Sequence, residues 1–343
     1  MPPTIDRRRF LLSLPALPLV PRVLAAQGGG VALRVRGINH VSLSVGDAAR
    51  SVDFYQRLFG LPSRRVNATS VQLQIGSGPQ HLGISAAAAG AAPKIDHFCL
   101  GVDAFNVDRI TKALAEHGVA KSERPGPLTL RVTAGAAGAP SVHMGDPDGT
   151  DVQLQDASYC GGSGPLGTVC TPAAPSPSTG LIALKGYSHM TVFSNDAEKT
   201  NAFYKDVFGM GIRSYQGPTA PTRAVGSGVE FLMFTGGGGG RAGAPPRPAS
   251  INHFCMTLDN FKPDEILETL ERVGIKPRES QTGPVGPLRH YISMRMENRG
   301  GAKEGTPELY FTDPDGLLVQ LQDVKYCGGS GYLGGVCPPV PAP

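Results

Sequence analysis

The sequence predicts an α+β protein of tandem paired βαβββ modules, four modules in two homologous halves. Three observations carry this. Motifs of the first half return in the second at growing spacing. Within each half the order of strand, helix and short strands runs twice. A Pro/Ser/Ala-rich stretch separates the halves.

The repeat is explicit. Ile38-Asn39-His40-Val41-Ser42-Leu43 returns as Tyr187-Ser188-His189-Met190-Thr191-Val192, 149 residues on, and Phe54-Tyr55 and Phe59-Gly60 return at the same offset. Asp96-His97-Phe98-Cys99 matches Asn252-His253-Phe254-Cys255 at 156, and Asp146-Pro147-Asp148-Gly149 matches Asp313-Pro314-Asp315-Gly316 at 167. The second half therefore carries insertions of 7 and then 11 residues, the first in the Gly/Pro run Gly236–Pro248 and the second between Arg289 and Pro307.

In chain order, residues 1–26 read as a targeting segment. Arg7-Arg8-Arg9-Phe10-Leu11-Leu12 resembles a twin-arginine export motif. A short apolar stretch and Val23-Leu24-Ala25-Ala26 follow, which suits cleavage by a signal peptidase. The stretch is broken by Pro15, Pro18 and Pro21 and is too short to span a bilayer. The expectation is a periplasmic or secreted protein without a stable membrane span.

The first half is placed at 37–170. His40 opens an alternating strand. A helix from Asp47 to Phe59 follows, capped by Asp47 and stopped by Gly60. Short strands come near Val71–Ile75 and His81–Ile84. The order restarts with strand His97–Val102 and helix Val107–His117, ended by Gly118. Residues 171–183 are the linker, and 184–337 repeat the pattern.

The chain has 343 residues, 40% hydrophobic and 17% charged, with 46 Gly and 31 Pro. This fits globular domains with many loops. Four arginines and one aspartate of the net +4 lie in the first 26 residues, so the body is nearly neutral. That removes the electrostatic case for nucleic acid or an anionic membrane as a partner. A small-molecule substrate is the expected partner, and a homodimer is compatible with the sequence.

The strand-opening histidines, the helix ending Phe-Tyr-x-x-x-Phe-Gly and the Asp-Pro-Asp-Gly turn before a last strand resemble the vicinal oxygen chelate superfamily. It includes glyoxalase I, bleomycin resistance proteins and extradiol dioxygenases. The resemblance covers roughly 37–157 and 184–324. It implies that paired modules close an eight-stranded, U-shaped sheet holding one divalent metal ion (Fe, Mn, Zn or Cu) per active domain. It also implies His40 and His97 as ligands in one half and His189 and His253 in the other.

The family's glutamate position is Gln153 in the first half and Gln320 in the second. A neutral amide donates less charge than a carboxylate, which favours Zn or Cu over Fe or Mn. His81 and Glu230 are candidates for a further ligand. They are not equivalent, since His81 aligns with Phe231.

Leu309-Tyr310-x-x-Asp313-Pro314-x-Gly316-x-x-x-Gln320 is similar to the extradiol dioxygenase signature, and Tyr310 stands where that resemblance implies a phenol bonded to substrate oxygen. In the first half the position is His143. The run Arg289–Arg295 alternates. Either Arg289, Tyr291, Ser293 and Arg295 face the cleft and bind an anionic substrate, or His290 does and supplies a general base.

Cys160 with Cys170 and Cys327 with Cys337 bracket equivalent loops and, after an export signal, read as two local disulfides. A thiolate metal site is the alternative. Cys99 and Cys255 share a face with the nearby histidines, either lining the cleft or buried as free thiols.

Three functions follow: an extradiol-dioxygenase-like oxygenase centred on the second half, a glyoxalase-like lyase or isomerase using the metal as Lewis acid, or a non-catalytic metal or small-ligand binding protein.

Overall fold

A computed structural model describes residues 33–135, 138–236 and 249–340. The segment expected to direct export and most of the first insertion lie outside these residues. The first half runs β1 (Val35–Val45), α1 (Ala48–Phe59), β2 (Ser63–Arg65), β3 (Ser70–Gln74), β4 (His81–Ala86), β5 (Lys94–Val102), α2 (Val107–Glu116), β6 (Ala120–Lys121), β7 (Thr129–Ala134), β8 (Pro140–Gly145) and β9 (Asp151–Asp156). The second runs β10 (Gly186–Ser194), α3 (Ala197–Phe208), β11 (Ile212–Tyr215), β12 (Pro221–Ala224), β13 (Phe231–Gly236), β14 (Ser250–Leu258), α4 (Pro263–Arg272), β15 (Lys276–Pro277), β16 (Arg289–Arg295), β17 (Thr306–Thr312) and β18 (Leu318–Asp323).

Helix boundaries follow local chemistry. The Asp47 carboxylate accepts from Arg50 N at 3.1 Å, and Gly60 closes α1 with φ 66°. Asp196 and Gly209 do the same for α3. A side chain at Gly60 would meet the Thr179 carbonyl at 2.4 Å, so both its left-handed backbone and its close approach to the linker demand glycine. The linker is packed rather than slack: Ala174 pairs with Ser63, and Leu181 N bonds Leu58 O at 2.8 Å.

Each half forms one sheet, ordered β2-β3-β4-β1-β5-β9-β8-β7-β6 and β11-β12-β13-β10-β14-β18-β17-β16-β15. Nine strands replace the eight expected, because two-residue strands β6 and β15 extend one edge of each sheet. Strand alternation sends Val41, Leu43, Val152 and Leu154 to the helix-covered core and leaves His40, His97 and Gln153 on the opposite face. The registers His40↔Cys99, Ser42↔His97 and Cys99↔Gln153 gather those three on adjacent strands β1, β5 and β9.

The halves dock through their Asp-Pro-Asp-Gly turns. Tyr55 OH donates to Asp313 Oδ2 at 3.2 Å, and Arg50 reaches Asp315 at 2.6 Å. Reciprocally, Tyr204 OH donates to Asp146 at 3.5 Å, and Thr200 to Asp148 at 2.9 Å. The turn and the Phe-Tyr motif thus carry the joint between the halves. No helix among the described residues is long and apolar enough to cross a membrane.

Candidate metal centre

In the first half, the His40 Nδ1 proton goes to Asn39 Oδ1 at 2.9 Å, since the Asn39 amide nitrogen is committed to the Tyr159 carbonyl. His97 Nδ1 donates to Asp96 Oδ2 at 2.9 Å. Neutral rings held this way turn their Nε2 lone pairs inward. Both converge on Gln153 Oε1, at 2.9 and 3.1 Å. Three acceptors cannot satisfy one another. Either a cation lies among them, or the amide is turned so that its NH2 donates to both rings and its oxygen accepts from Ser141 Oγ. Burial pushes the His40 ring well below its ordinary pKa, and His81 down to about 4. His81 stacks on His40 at 4.4 Å and gives its own Nδ1 proton to the Pro79 carbonyl. The cavity these residues line is about 300 Å3.

The second half repeats the arrangement with changes. His189 and His253 approach Nε2 to Nε2 at 3.2 Å. His253 Nδ1 donates to Asn252 Oδ1 at 2.7 Å. Burial lowers the pKa of both rings, His253 to about 4. Gln320 is 1% exposed and its amide lies beside both rings, yet among the described residues neither of its polar atoms makes a well-formed hydrogen bond. A buried amide left unsatisfied beside two imidazole lone pairs is the feature a cation would complete. Among the described residues no three His, Cys, Asp or Glu side chains group to hold a metal. The third donor in each half is an amide, so the fit is to a neutral N,N,O set.

Around this pair the second cavity, about 200 Å3, differs in kind. Phe231 stacks on His189 at 4.4 Å, in the place of His81. The Tyr310 ring meets His253 edge-on at 5.3 Å, and its OH donates to Glu308 Oε2 at 3.3 Å. Glu308 also accepts from Arg295 Nε at 2.7 Å and Tyr326 OH at 2.8 Å. Burial, then the Glu308 charge, pushes the Tyr310 phenol well above its ordinary pKa.

Two expected site residues lie elsewhere. Glu230 does not reach the histidines: its carboxylate accepts from Ile38 N at 2.6 Å and Gln80 at 3.3 Å in the other half. The register His189↔Phe231 explains this, since the next residue, not Glu230, occupies the cleft face. Burial lifts the Glu230 carboxyl to about 7. His290 lies on the helix side, with Nε2 3.2 Å from Glu271 of α4, and is no base for the cleft. Of the alternate set, Tyr291 stacks on Tyr310, Arg289 pairs with the exposed Glu279, and Arg295, fully buried, is consumed by Glu308 and the Gly329 carbonyl.

The cysteine pairs Cys160–Cys170 and Cys327–Cys337 lie at disulfide distance, not as a metal site. Cys99 and Cys255 are free and buried, and burial raises both thiols. Sequence reasoning missed Glu308 and Tyr326. Glu308 was legible in principle, because it precedes Tyr310 by two on one strand and shares its face.

The model of the Glyoxalase/Bleomycin resistance protein/Dioxygenase superfamily matches residues 37–154 and 186–321. The chain belongs to that superfamily, with one copy of its domain in each half. Among solved structures, a Mn(II)-bound glyoxalase from Novosphingobium aromaticivorans superposes with TM-score 0.58 at 17% identity, covering 84% of this chain and 82% of the other. A catechol 2,3-dioxygenase gives 0.58 at 16%, covering 90% and 91%. An extradiol ring-cleaving dioxygenase from B. fuscum gives 0.56 at 16%, covering 88% and 74%. At such identities the likeness is one of fold. No curated protein matches the chain.

Proposed function

We propose that this chain is an exported metal-dependent enzyme acting on a small phenolic substrate in the cleft of the second half, by ring-cleaving oxygenase chemistry. The observation that carries the reading is Gln320, a buried amide beside His189 and His253 that among the described residues makes no well-formed hydrogen bond, with the Tyr310 phenol next to them. His189, His253 and Gln320 would hold one divalent ion. Bound there, it would supply Lewis acidity and, if redox-active, oxygen activation.

The chain's own groups supply the rest. The cavity walls of Phe193, Met233 and Tyr326 strip water from a ring-sized ligand. Tyr310 stays protonated and can pass its O–H from Glu308 to a substrate oxygen. Glu308 is fixed by Arg295, so its second oxygen holds the Tyr310 O–H in a set orientation until a substrate oxygen competes for it. In the first half, His40, His97 and Gln153 form a second site of the same donor type.

The neutral donor set supports a second reading, glyoxalase-like lyase or isomerase chemistry with the metal as Lewis acid. Two imidazoles and an amide leave a divalent ion its full formal charge, which suits Zn without redox.

Elemental mass spectrometry of the purified protein and of His189→Ala/His253→Ala separates the readings. Near-stoichiometric Fe, Mn or Cu lost from the variant supports the oxygenase, and Zn supports the Lewis acid. Metal at background in both proteins overturns both and leaves a non-catalytic binding protein.

A further inference from the structure

A groove of about 1120 Å3 runs between the two halves and opens onto the first histidine cavity, because His97 lines both. Asp96, which holds His97, and Asn252, which holds His253, line both the groove and their own cleft, so the groove adjoins both sites.

Its two walls descend from equivalent surfaces but have opposite character. Asp151 of the first half stands where the second has Leu318. Arg131, the β7 partner of His143, stands where the second half has Tyr291, the β16 partner of Tyr310. The first-half wall is polar and ordered. His143 Nδ1 donates to Asp151 Oδ1 at 3.0 Å, and Arg131 Nη2 donates to Asp151 Oδ2 at 2.9 Å. That leaves Nε2 of His143 as a hydrogen-bond acceptor.

The second-half wall is apolar, with Ile251, Leu317 and Leu318, and ends in a cation, Arg278. The Arg278 guanidinium lies 4.6 Å from the centre of the Tyr291 ring, whose other face stacks on Tyr310 at 5.0 Å. It donates only to the backbone carbonyls of Ser280 and Gly283, and among the described residues no carboxylate pairs with it. A half-buried guanidinium, flattened on an aromatic ring and without an acid, is pre-organised for a planar oxyanion.

We propose that this groove is a ligand site for a small amphipathic carboxylate: the carboxylate on Arg278, the apolar body on Leu317 and Leu318, and a hydroxyl donating to His143. The assignment does not depend on which chemistry the clefts perform.

Isothermal titration of the full chain with 4-hydroxycinnamate, 4-hydroxycinnamamide and cinnamate tests it, on the protein as purified and after chelation. The acid should bind roughly ten-fold more tightly than either its amide or the analogue without hydroxyl, with or without chelator. Arg278→Met should erase the preference for acid over amide, leave amide affinity unchanged and keep the thermal unfolding temperature. Arg278→Lys should restore part of the preference. His143→Phe should erase the preference for the hydroxyl. Acid preference that survives in Arg278→Met overturns the proposal, as does binding that disappears on chelation, which would place the ligand on a metal in the cleft. Failure of a folded wild-type protein to bind any of the three probes also overturns it.

Discussion

The two clefts keep the same backbone and the same pair of histidines, and differ in what surrounds them. In the first, His81 stacks on His40 and His143 meets His97 edge-on at 5.2 Å. In the second, Phe231 and Tyr310 take those places, and a buried Arg295–Glu308 pair replaces Gly135 and Ser141. The shared part is set by strand register, which duplication copies whole. The divergent part sits on β4, β7 and β8 and their counterparts, where one substitution changes the cavity without moving a ligand strand. Duplication here preserves the paired histidines and frees their surroundings to vary.

The comparison is broken most decisively by activity. If the second cleft is the catalytic one, His189→Ala/His253→Ala should abolish turnover of any substrate found in a catechol screen, while His40→Ala/His97→Ala should reduce it by less than about ten-fold. The opposite ranking would make the first half the enzyme. Tyr310→Phe sharpens the same point: turnover should fall by roughly a hundred- to ten-thousand-fold at unchanged metal content, a range typical of a lost catalytic proton donor.

The next largest effect is on stability. Glu308→Ala leaves the Arg295 guanidinium, at 0% exposure, without its charge partner. Removing one partner of a buried pair costs about 3–5 kcal/mol. Its counterpart Ser141→Ala removes one neutral hydrogen bond, that from Gln153, and should cost about 1 kcal/mol. Denaturant unfolding of both variants checks the contrast, and similar losses would show that the buried pair is not the main difference in stability between the clefts.

The disulfides come next and should not distinguish the halves. Each closes a loop with sequence separation 10, so Cys160→Ser/Cys170→Ser and Cys327→Ser/Cys337→Ser should each lower stability by about 2–3 kcal/mol. A larger loss at one end would mean its loop supports the neighbouring cleft.

How much of this was legible can be traced residue by residue. The helix caps at Asp47 and Gly60 depend on neighbours three or four residues away, and the alternation of β1 and β10 is local, so both showed in the chain. His40, His97, His189 and His253 showed because the repeat lined them up. Glu230 misled because a slip of one residue along a strand reverses the face, and the aligned position was Phe231. His290 could not be placed, since alternation names two faces without saying which is inside. Glu308 and Arg295 meet only across β16 and β17, in the register Ser293↔Glu308 and Arg295↔Thr306. The docking roles of Asp146 and Asp313 belong to contacts between halves that no local pattern encodes.

Those two aspartates give the smallest expected effect and the most symmetric one. Burial raises both carboxyls from the ordinary aspartate range to about 6. A folded pKa above the unfolded one means that the stability these groups contribute is fully present below about pH 4. It is lost as the pH rises through about 6, because folding then buries a charge. The shift corresponds to roughly 3 kcal/mol per carboxyl at its limit, and about 1–2 kcal/mol once relaxation and water access are allowed for. Asp96, held below the ordinary range chiefly by its bond to His97, acts in the opposite sense, losing its contribution as the pH falls. The useful quantity is therefore the difference from wild type. Asp146→Asn and Asp313→Asn keep an oxygen to accept from the turn amides, so each should flatten the pH dependence of unfolding between about pH 4 and 7 by the same amount. Equal flattening would show that the joint between the halves kept its two-fold balance while the clefts beside it diverged. A difference above about 1 kcal/mol would mean that the asymmetry of the clefts reaches the joint as well.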